Sequence, residues 1–518
     1  MTAPSTSWRD NLRADLPASL VVFLVALPLC LGVALASGAP LVAGLIAGII
    51  GGFVVAPLSG SNLMVSGPAA GLTAVVLSAI AKLGSYEAFL AAIALAGIMQ
   101  LGFGLARAGF IAKYFPSSVI KGMLAAIGIT LVLKQVPHAM GYDAEAMGLE
   151  QFQAVGDENT FTSIIHLAGR INPTAVVLSV VSLLILFLWD NPRFKGLKRV
   201  PGALVVVMLG TVANVILTRQ WPVHALSGDE LVQVPVGGIR GFLMEVALPR
   251  WDAIVQPQVW VVALTVALVA SLETLLSLEA TDKLDPLKRH SSADRELRAQ
   301  GIGNLLSGAL GGLPLTGVIV RSAANVESGG RTRVSAILHS VWLLLALLLI
   351  PRLLNLVPLA ALAAILIHIG WKLAHPVHLL QAWHIGRDQF VPFTVTILAI
   401  LLTDLLTGVI VGLLVGAFFI LKEQADAPGL TVLSPPGAVL TRYALGQQAT
   451  FLTKVRIEKT LNALTPGSRV EIDARDCRRI DPDVLQLLHD FRHTAAERDI
   501  DYRLVAVPEL AVGGLTSH

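Results

Sequence analysis

Glu273 stands in the apolar run Val266-Ala267-Leu268-Val269-Ala270-Ser271-Leu272-Glu273-Thr274-Leu275-Leu276-Ser277. A charged carboxylate at the centre of a membrane-crossing helix costs about 2.5–3.5 kcal/mol on insertion scales. The side chain must therefore face a polar cavity, have a partner, or hold a proton. Ser277 lies one turn on, along the same helical face. Two Gly/Pro-rich interruptions complete the set: Ser66-Gly67-Pro68-Ala69-Ala70-Gly71 and Gly311-Gly312-Leu313-Pro314-Leu315-Thr316-Gly317, each leading into a short apolar stretch. If two such interrupted helices start face to face, their first-turn N–H groups point into a shared cavity. Each end carries roughly half a positive charge, which holds an anion without a cationic side chain. Glu273 is then expected to take up a proton alongside the anion. Arg321 follows the second break by a turn. Three roles are open to it: a positive field behind the anion, a pair with an acid such as Glu327, or a place at the cytoplasmic end of a short helix.

The expected site residues are Ser66, Ala69, Ala70, Gly71, Thr316, Gly317, Val318, Ile319 and Arg321 for the anion, with Glu273 and Ser277 for the coupling ion. Other polar residues read more plainly. Lys134, His138, His368 and Lys372 are expected to snorkel to an interface, Asp404 to cap a helix, and His339 to be a packed, hydrogen-bonded side chain. No His/Cys cluster has metal-site spacing. No phosphate-binding loop and no nucleophile–base set stands out. No cofactor is expected, and the chain is not expected to be an enzyme.

The elements that must position these residues follow from composition. Of 518 residues, 54% are hydrophobic and 14% charged, against about a quarter charged in a soluble domain. Most of the chain therefore meets lipid or other apolar helices. The net charge of +3 is too small and scattered to imply nucleic acid. Cys30 and Cys477 fall in different regions and imply no disulfide framework. Candidate spans start near Leu20, Leu41, Ala69, Phe89, Val119, Ala175, Leu204, Val259, Gly301, Gly317, Val334, Leu359, Phe393 and Val409. The third, ninth and tenth look too short to cross about 30 Å of hydrocarbon. The first, Leu20 to Ala36, lacks a convincing cleavage site and is read as a retained helix.

Seven spans per half inverts the second half relative to the first, and interrupted segments at matching places then mark a binding site. Lys and Arg set the orientation. Arg9 and Arg13, Arg107 and Lys113, Arg193 to Arg199, and Lys283 to Arg298 fall on one side, expected to be cytoplasmic. Asp143 to Glu158 and Asp229 to Asp252 fall on the other. After Lys422 charged residues become frequent. Val470-Glu471-Ile472-Asp473-Ala474 alternates as a strand, Asp483 to Ala496 reads as an amphipathic helix, and Tyr502 to Val507 as a strand. The expected organisation is a polar segment over 1–17, a membrane domain over 18–424, and an α/β domain over 425–518.

These motifs resemble those of the sulfate permease family, the bacterial counterpart of solute carrier family 26. The likeness is carried by Val65-Ser66-Gly67-Pro68-Ala69-Ala70-Gly71 and by Phe115-Pro116-Ser117-Ser118-Val119-Ile120-Lys121-Gly122. A third stretch runs from Arg295-Glu296-Leu297 through Gly301, Asn304 and Gly308 to Gly311-Gly312-Leu313-Pro314, then Arg321-Ser322 and Asn325. The tail looks like a STAS domain, with Asp473 ending a strand and Ile480-Asp481 opening a helix. The resemblance implies a polytopic helical membrane protein of about fourteen spans, a 7+7 inverted repeat with core and gate domains and a C-terminal STAS domain. It implies a homodimer in a bacterial inner membrane, both termini cytoplasmic, moving a small inorganic anion by an elevator mechanism. Substrate-contacting backbone would lie at Ala69, Ala70, Gly317 and Val318, the coupling carboxylate at Glu273, and Arg321 would match the family's arginine behind the anion.

Sodium-coupled bicarbonate relatives carry Asp at the Glu273 position and hydroxyl residues near the tenth-helix start. Val318 and Ile319 lack those oxygens, which favours protons over sodium. The stretches Ala26-Leu27-Pro28-Leu29-Cys30-Leu31-Gly32 and Ile120 to Gly128 resemble a branch associated with carbonic anhydrases, so bicarbonate is favoured. The alternatives are a sulfate or dicarboxylate symporter, sodium-coupled bicarbonate uptake, and a passive anion channel.

Overall fold

The computed structural model describes residues 8–142, 171–190, 201–233, 242, 244–349, 351–434 and 439–509. The acidic stretch Asp143 to Glu158 and the basic stretch Arg193 to Arg199 lie outside the described residues. The chain divides into two units, Met1–Leu413 and Leu414–His518.

Each of the fourteen expected spans falls on a helix. The first seven are α1 Trp8–Ala36, α2 Leu41–Leu58, α3 Ala70–Leu83, α4 Tyr86–Leu105, α5 Ser117–Ala139, α6 Pro173–Asp190 and α7 Gly202–Gln220. The second seven are α8 Pro257–Leu284, α9 Ala293–Ala309, α10 Ile319–Glu327, α11 Arg333–Leu349, α12 Leu359–Ile385 (interrupted at 374–376), α13 Arg387–Leu402 and α14 Leu405–Asp426. Nine of these, among the described residues, are long and apolar enough to cross a membrane. The expected short spans α3, α9 and α10 are joined by α11 and α13, with 17 and 16 residues. α1 starts well before Leu20 and runs through Pro17 and Pro28. Its polar first turns are held by tertiary contacts. Asp15 is fully buried and accepts from the backbone N–H groups of Arg331 and Thr332 at 2.6 and 3.0 Å. Asp404 caps α14, accepting from Thr407 N–H at 3.0 Å.

Two sub-bundles form within the first unit. α1–α4 pack mainly with α8–α11, and α5–α7 mainly with α12 and α13. Small residues make the tightest crossing. A Cβ at Gly97 would lie 2.3 Å from Leu305 N, and one at Gly301 2.7 Å from Gly97 O. α4 and α9 therefore touch backbone to backbone, which only glycine permits at this separation.

The second unit holds a four-stranded sheet of β3 Leu430–Val432, β4 Thr441–Leu445, β5 Arg469–Asp473 and β6 Asp501–Val505, in that spatial order. The first pair is antiparallel and the other two are parallel. Helices α15 Lys454–Asn462 and α16 Pro482–Glu497 supply the crossovers that parallel strands need. Ile457, Leu461, Val470, Ile472, Val484 and Leu488 form the core. Asp481 caps α16 and Pro482 takes its first position.

Candidate anion-binding site

The two Gly/Pro breaks meet. Ser66–Pro68 forms β1 and Leu315–Gly317 forms β2, paired antiparallel with Ser66 opposite Gly317, Gly67 opposite Thr316 and Pro68 opposite Leu315. Val318 N–H extends the ladder to Val65 O at 2.9 Å. Both strands are buried, and proline ends β1 because its missing N–H cannot continue a ladder. The antiparallel register sends α3 and α10 off opposite ends of one three-pair ribbon. Their positive N-terminal ends thus both face the ribbon. Of the expected residues, Ser66, Ala69, Ala70, Thr316, Gly317, Val318, Ile319 and Arg321 are buried here, and Gly71 is half-buried.

α8 reaches both breaks with consecutive residues. The Glu273 carboxylate borders Gly71: a Cβ there would lie 3.0 Å from Oε1 and 3.3 Å from Oε2. Thr274 Oγ1 accepts from Gly317 N–H at 3.3 Å. Ser277 is buried a turn further on, its carbonyl accepting from the Thr281 hydroxyl at 2.7 Å.

Arg321 is fully buried behind the ribbon. Nη2 donates to Pro68 O at 3.4 Å, while Nε and Nη1 have no hydrogen-bond partner among the described residues. Gly67 admits the guanidinium: a Cβ there would fall 2.0 Å from Nη1. The pairing with Glu327 does not form, because Glu327 instead meets Lys372 of α12 at 2.9 Å. Nor does Arg321 sit at an exposed helix end.

The ribbon is held by side chains that sequence reasoning left without a role. Gln300 Nε2 donates to Ser66 Oγ at 2.7 Å and to Glu296 Oε1 at 2.9 Å. Glu296 is fully buried and accepts from Ser59 Oγ and from Gly60 N–H. Asn304 accepts from Leu315 N–H at 2.7 Å and donates to Leu315 O at 2.9 Å and to Gln100 Oε1 at 2.6 Å. Ser322 Oγ accepts from Val65 N–H, and Asn325 Nδ2 donates to Leu63 O. The signal was present: Glu296, Gln300 and Asn304 recur every four residues across the start of the expected ninth span, a polar stripe along one helix face.

The snorkelling expectations are corrected. Lys134 and His138 are 7% and 3% exposed, because α5 turns that face toward its neighbours. Lys372 and His368 join Asp190 instead, each 3.0 Å from its Oδ2. His339 is buried with Nδ1 2.5 Å from Ala336 O, as a packed, hydrogen-bonded side chain should be.

A family model described as the sulfate permease family matches residues 12–396. A putative sulfate transporter of Bacillus subtilis, YvdB, is 30% identical over 67% of this chain and 63% of its own length. The bicarbonate transporter BicA of a Synechocystis species is 29% identical over 68% of this chain and 59% of its own. The chain thus spans about three-fifths of the length of these curated relatives. Among solved structures, the transmembrane domain of a cyanobacterial BicA aligns with TM-score 0.55 and 26% identity, over 78% of this chain and all but 2% of that one (98% covered). The murine anion transporter Slc26a9, solved in an inward-facing state, aligns with TM-score 0.65 at 16% identity over 98% of this chain and 87% of that one, a likeness of fold. With the apolar helices above, these likenesses establish a polytopic helical membrane protein with a C-terminal α/β unit whose strands fit a STAS domain.

Proposed function

The chain belongs to the sulfate permease family, and from that premise we propose that it carries a small inorganic anion, bicarbonate ahead of sulfate or a dicarboxylate, by proton-coupled symport. The observation that carries this reading is the antiparallel pairing of the two breaks, which joins two helix N-termini at one ribbon. The anion is held at Ser66, Ala69, Ala70, Gly71, Thr316, Gly317, Val318 and Ile319, largely by backbone, with Arg321 supplying the one full positive charge. Glu273 sets the coupling, with Ser277 and Thr274 beside it on α8. Ionised, it cancels Arg321 and leaves the site neutral. Protonated, it leaves one positive charge, which balances a monoanion such as bicarbonate and leaves a dianion uncompensated in a low-dielectric interior. This arithmetic favours bicarbonate, where relatives named for bicarbonate and sulfate match about equally.

The sub-bundle of α1–α4 and α8–α11 acts as the moving core and the other as the gate, in an elevator. The chain works as a homodimer in a bacterial inner membrane with both termini cytoplasmic, and a carbonic anhydrase is its functional partner. The domain limits 18–424 and 425–518 belong to the same reading.

Purified protein in liposomes, given labelled bicarbonate, sulfate and fumarate under imposed proton or sodium gradients, tests the proposal. Saturable bicarbonate uptake driven by an inward proton gradient is expected. Uptake that follows sodium and ignores pH overturns the coupling. Non-saturating flux overturns the elevator, and sulfate transported in preference overturns the substrate.

A further inference from the structure

Apolar side chains of the two sub-bundles share one buried cluster, and among the described residues one ion pair spans the seam between them. Glu327 ends α10 of the core, and Lys372 lies on α12 of the gate, with Nζ 2.9 Å from Glu327 Oε2. The same ammonium lies 3.0 Å from Asp190 Oδ2 at the end of α6, and His368 Nε2 lies 3.0 Å from that oxygen. Glu327 and Lys372 together line two cavities. One, of about 280 Å³, is bounded by Pro17, Trp189, Gly202 and Ile365. The other, of about 470 Å³, is bounded by Lys121, Asp282, Lys288 and His378.

We propose that Glu327 and Lys372 form a latch that holds the core and gate in the arrangement described here, and that Asp190, already in contact with Lys372, retains the ammonium when the latch opens. The proposal rests on the elevator reading above. A pair confined to one rigid bundle is ordinarily left closed, since removing one partner strands a buried charge. Here neither charge is stranded. Glu327 and Lys372 are 37% and 29% exposed and border cavities, so Glu327 is hydrated once freed. Lys372 keeps Asp190, which belongs to its own sub-bundle. The three charges sum to minus one, so the two carboxylates compete for one ammonium, and the competition lets the pair exchange.

That competition gives the test its signature. Removing Glu327 and removing Asp190 must act in opposite directions, whereas a merely structural cluster loses in the same direction from either. Spin labels at Arg331→Cys of the core and His384→Cys of the gate, both exposed, report the separation by pulsed dipolar spectroscopy. The full chain is used in nanodiscs without substrate, with Cys477→Ser as background, Cys30 being fully buried. Two distance populations are expected. Glu327→Gln lowers the population matching this structure threefold or more, and Asp190→Asn raises it. Melting temperature confirms that each variant is folded. Two populations that shift the same way in both variants, or in neither, overturn the latch and leave the elevator standing. A single distance unmoved by either variant and by added bicarbonate overturns both.

Discussion

In the proposed mechanism, Arg321 and Glu273 divide the electrostatics of the site between one fixed charge and one that a proton can erase. Glu273→Gln mimics the protonated state permanently. Its expected outcome is bicarbonate binding retained, with stimulation of uptake by an inward proton gradient lost at least tenfold, measured in liposomes at fixed internal pH. Arg321 is confined by the absent side chain of Gly67. Gly67→Ala places a methyl 2.0 Å from Nη1, a separation no real Cβ contact allows, so the guanidinium must move. The expected result is an apparent KM for bicarbonate raised about tenfold, equivalent to roughly 1.4 kcal/mol, with a smaller change in kcat. The role of Arg321 was only partly legible in sequence. Glu327 lies close to it in the chain and was a natural partner, but it faces a lysine of another helix, a relation no local pattern contains.

Among the elements, α9 is the scaffold of the ribbon. Asn304 satisfies both backbone groups of Leu315, and Asn304→Ala leaves these buried groups unpaired, at about 1–3 kcal/mol each. A melting temperature lowered by several degrees is expected in detergent, together with loss of bicarbonate protection against melting. Gly301→Leu drives a side chain into the α4 backbone and is expected to prevent accumulation of folded protein, read by fluorescence-detected gel filtration. The two breaks were legible because Gly and Pro are local signals of an interrupted helix. The polar stripe of α9 was not read as a scaffold because its partners, Ser66, Gln100 and Leu315, lie in other segments. Spacing identifies a face but not what the face meets. The early start of α1 escaped for a related reason: a polar turn reads as solvated until Asp15 is found capping residues more than three hundred positions away (316 for Arg331).

At the scale of the whole molecule, the apolar spans and the strand–helix alternation of the tail gave the architecture directly, each expected span falling on a helix. The tail also carries an electrostatic marker. Bonding to Arg475 holds the Asp473 carboxyl down at about 2, below its ordinary 3.8. A carboxylate lowered on folding adds stability above its unfolded pKa and loses it as pH falls toward the folded value. The contribution is therefore present above about pH 4 and fades toward pH 2. Arg475→Ala is expected to flatten that acid limb, read by hydrogen exchange of peptides covering Arg469–Asp473 in the intact chain, while the membrane helices remain unchanged. The ribbon of Ser66–Pro68 and Leu315–Gly317 has one more consequence. In the proposed binding mode its contacts to an anion come from peptide groups, which every amino acid supplies alike. Descendants of one ancestor can thus drift in side chain and change cargo while the receptor stays intact, and sequence divergence becomes a poor clock for substrate. Relatives labelled for different anions at nearly equal identity are what such a receptor leaves behind.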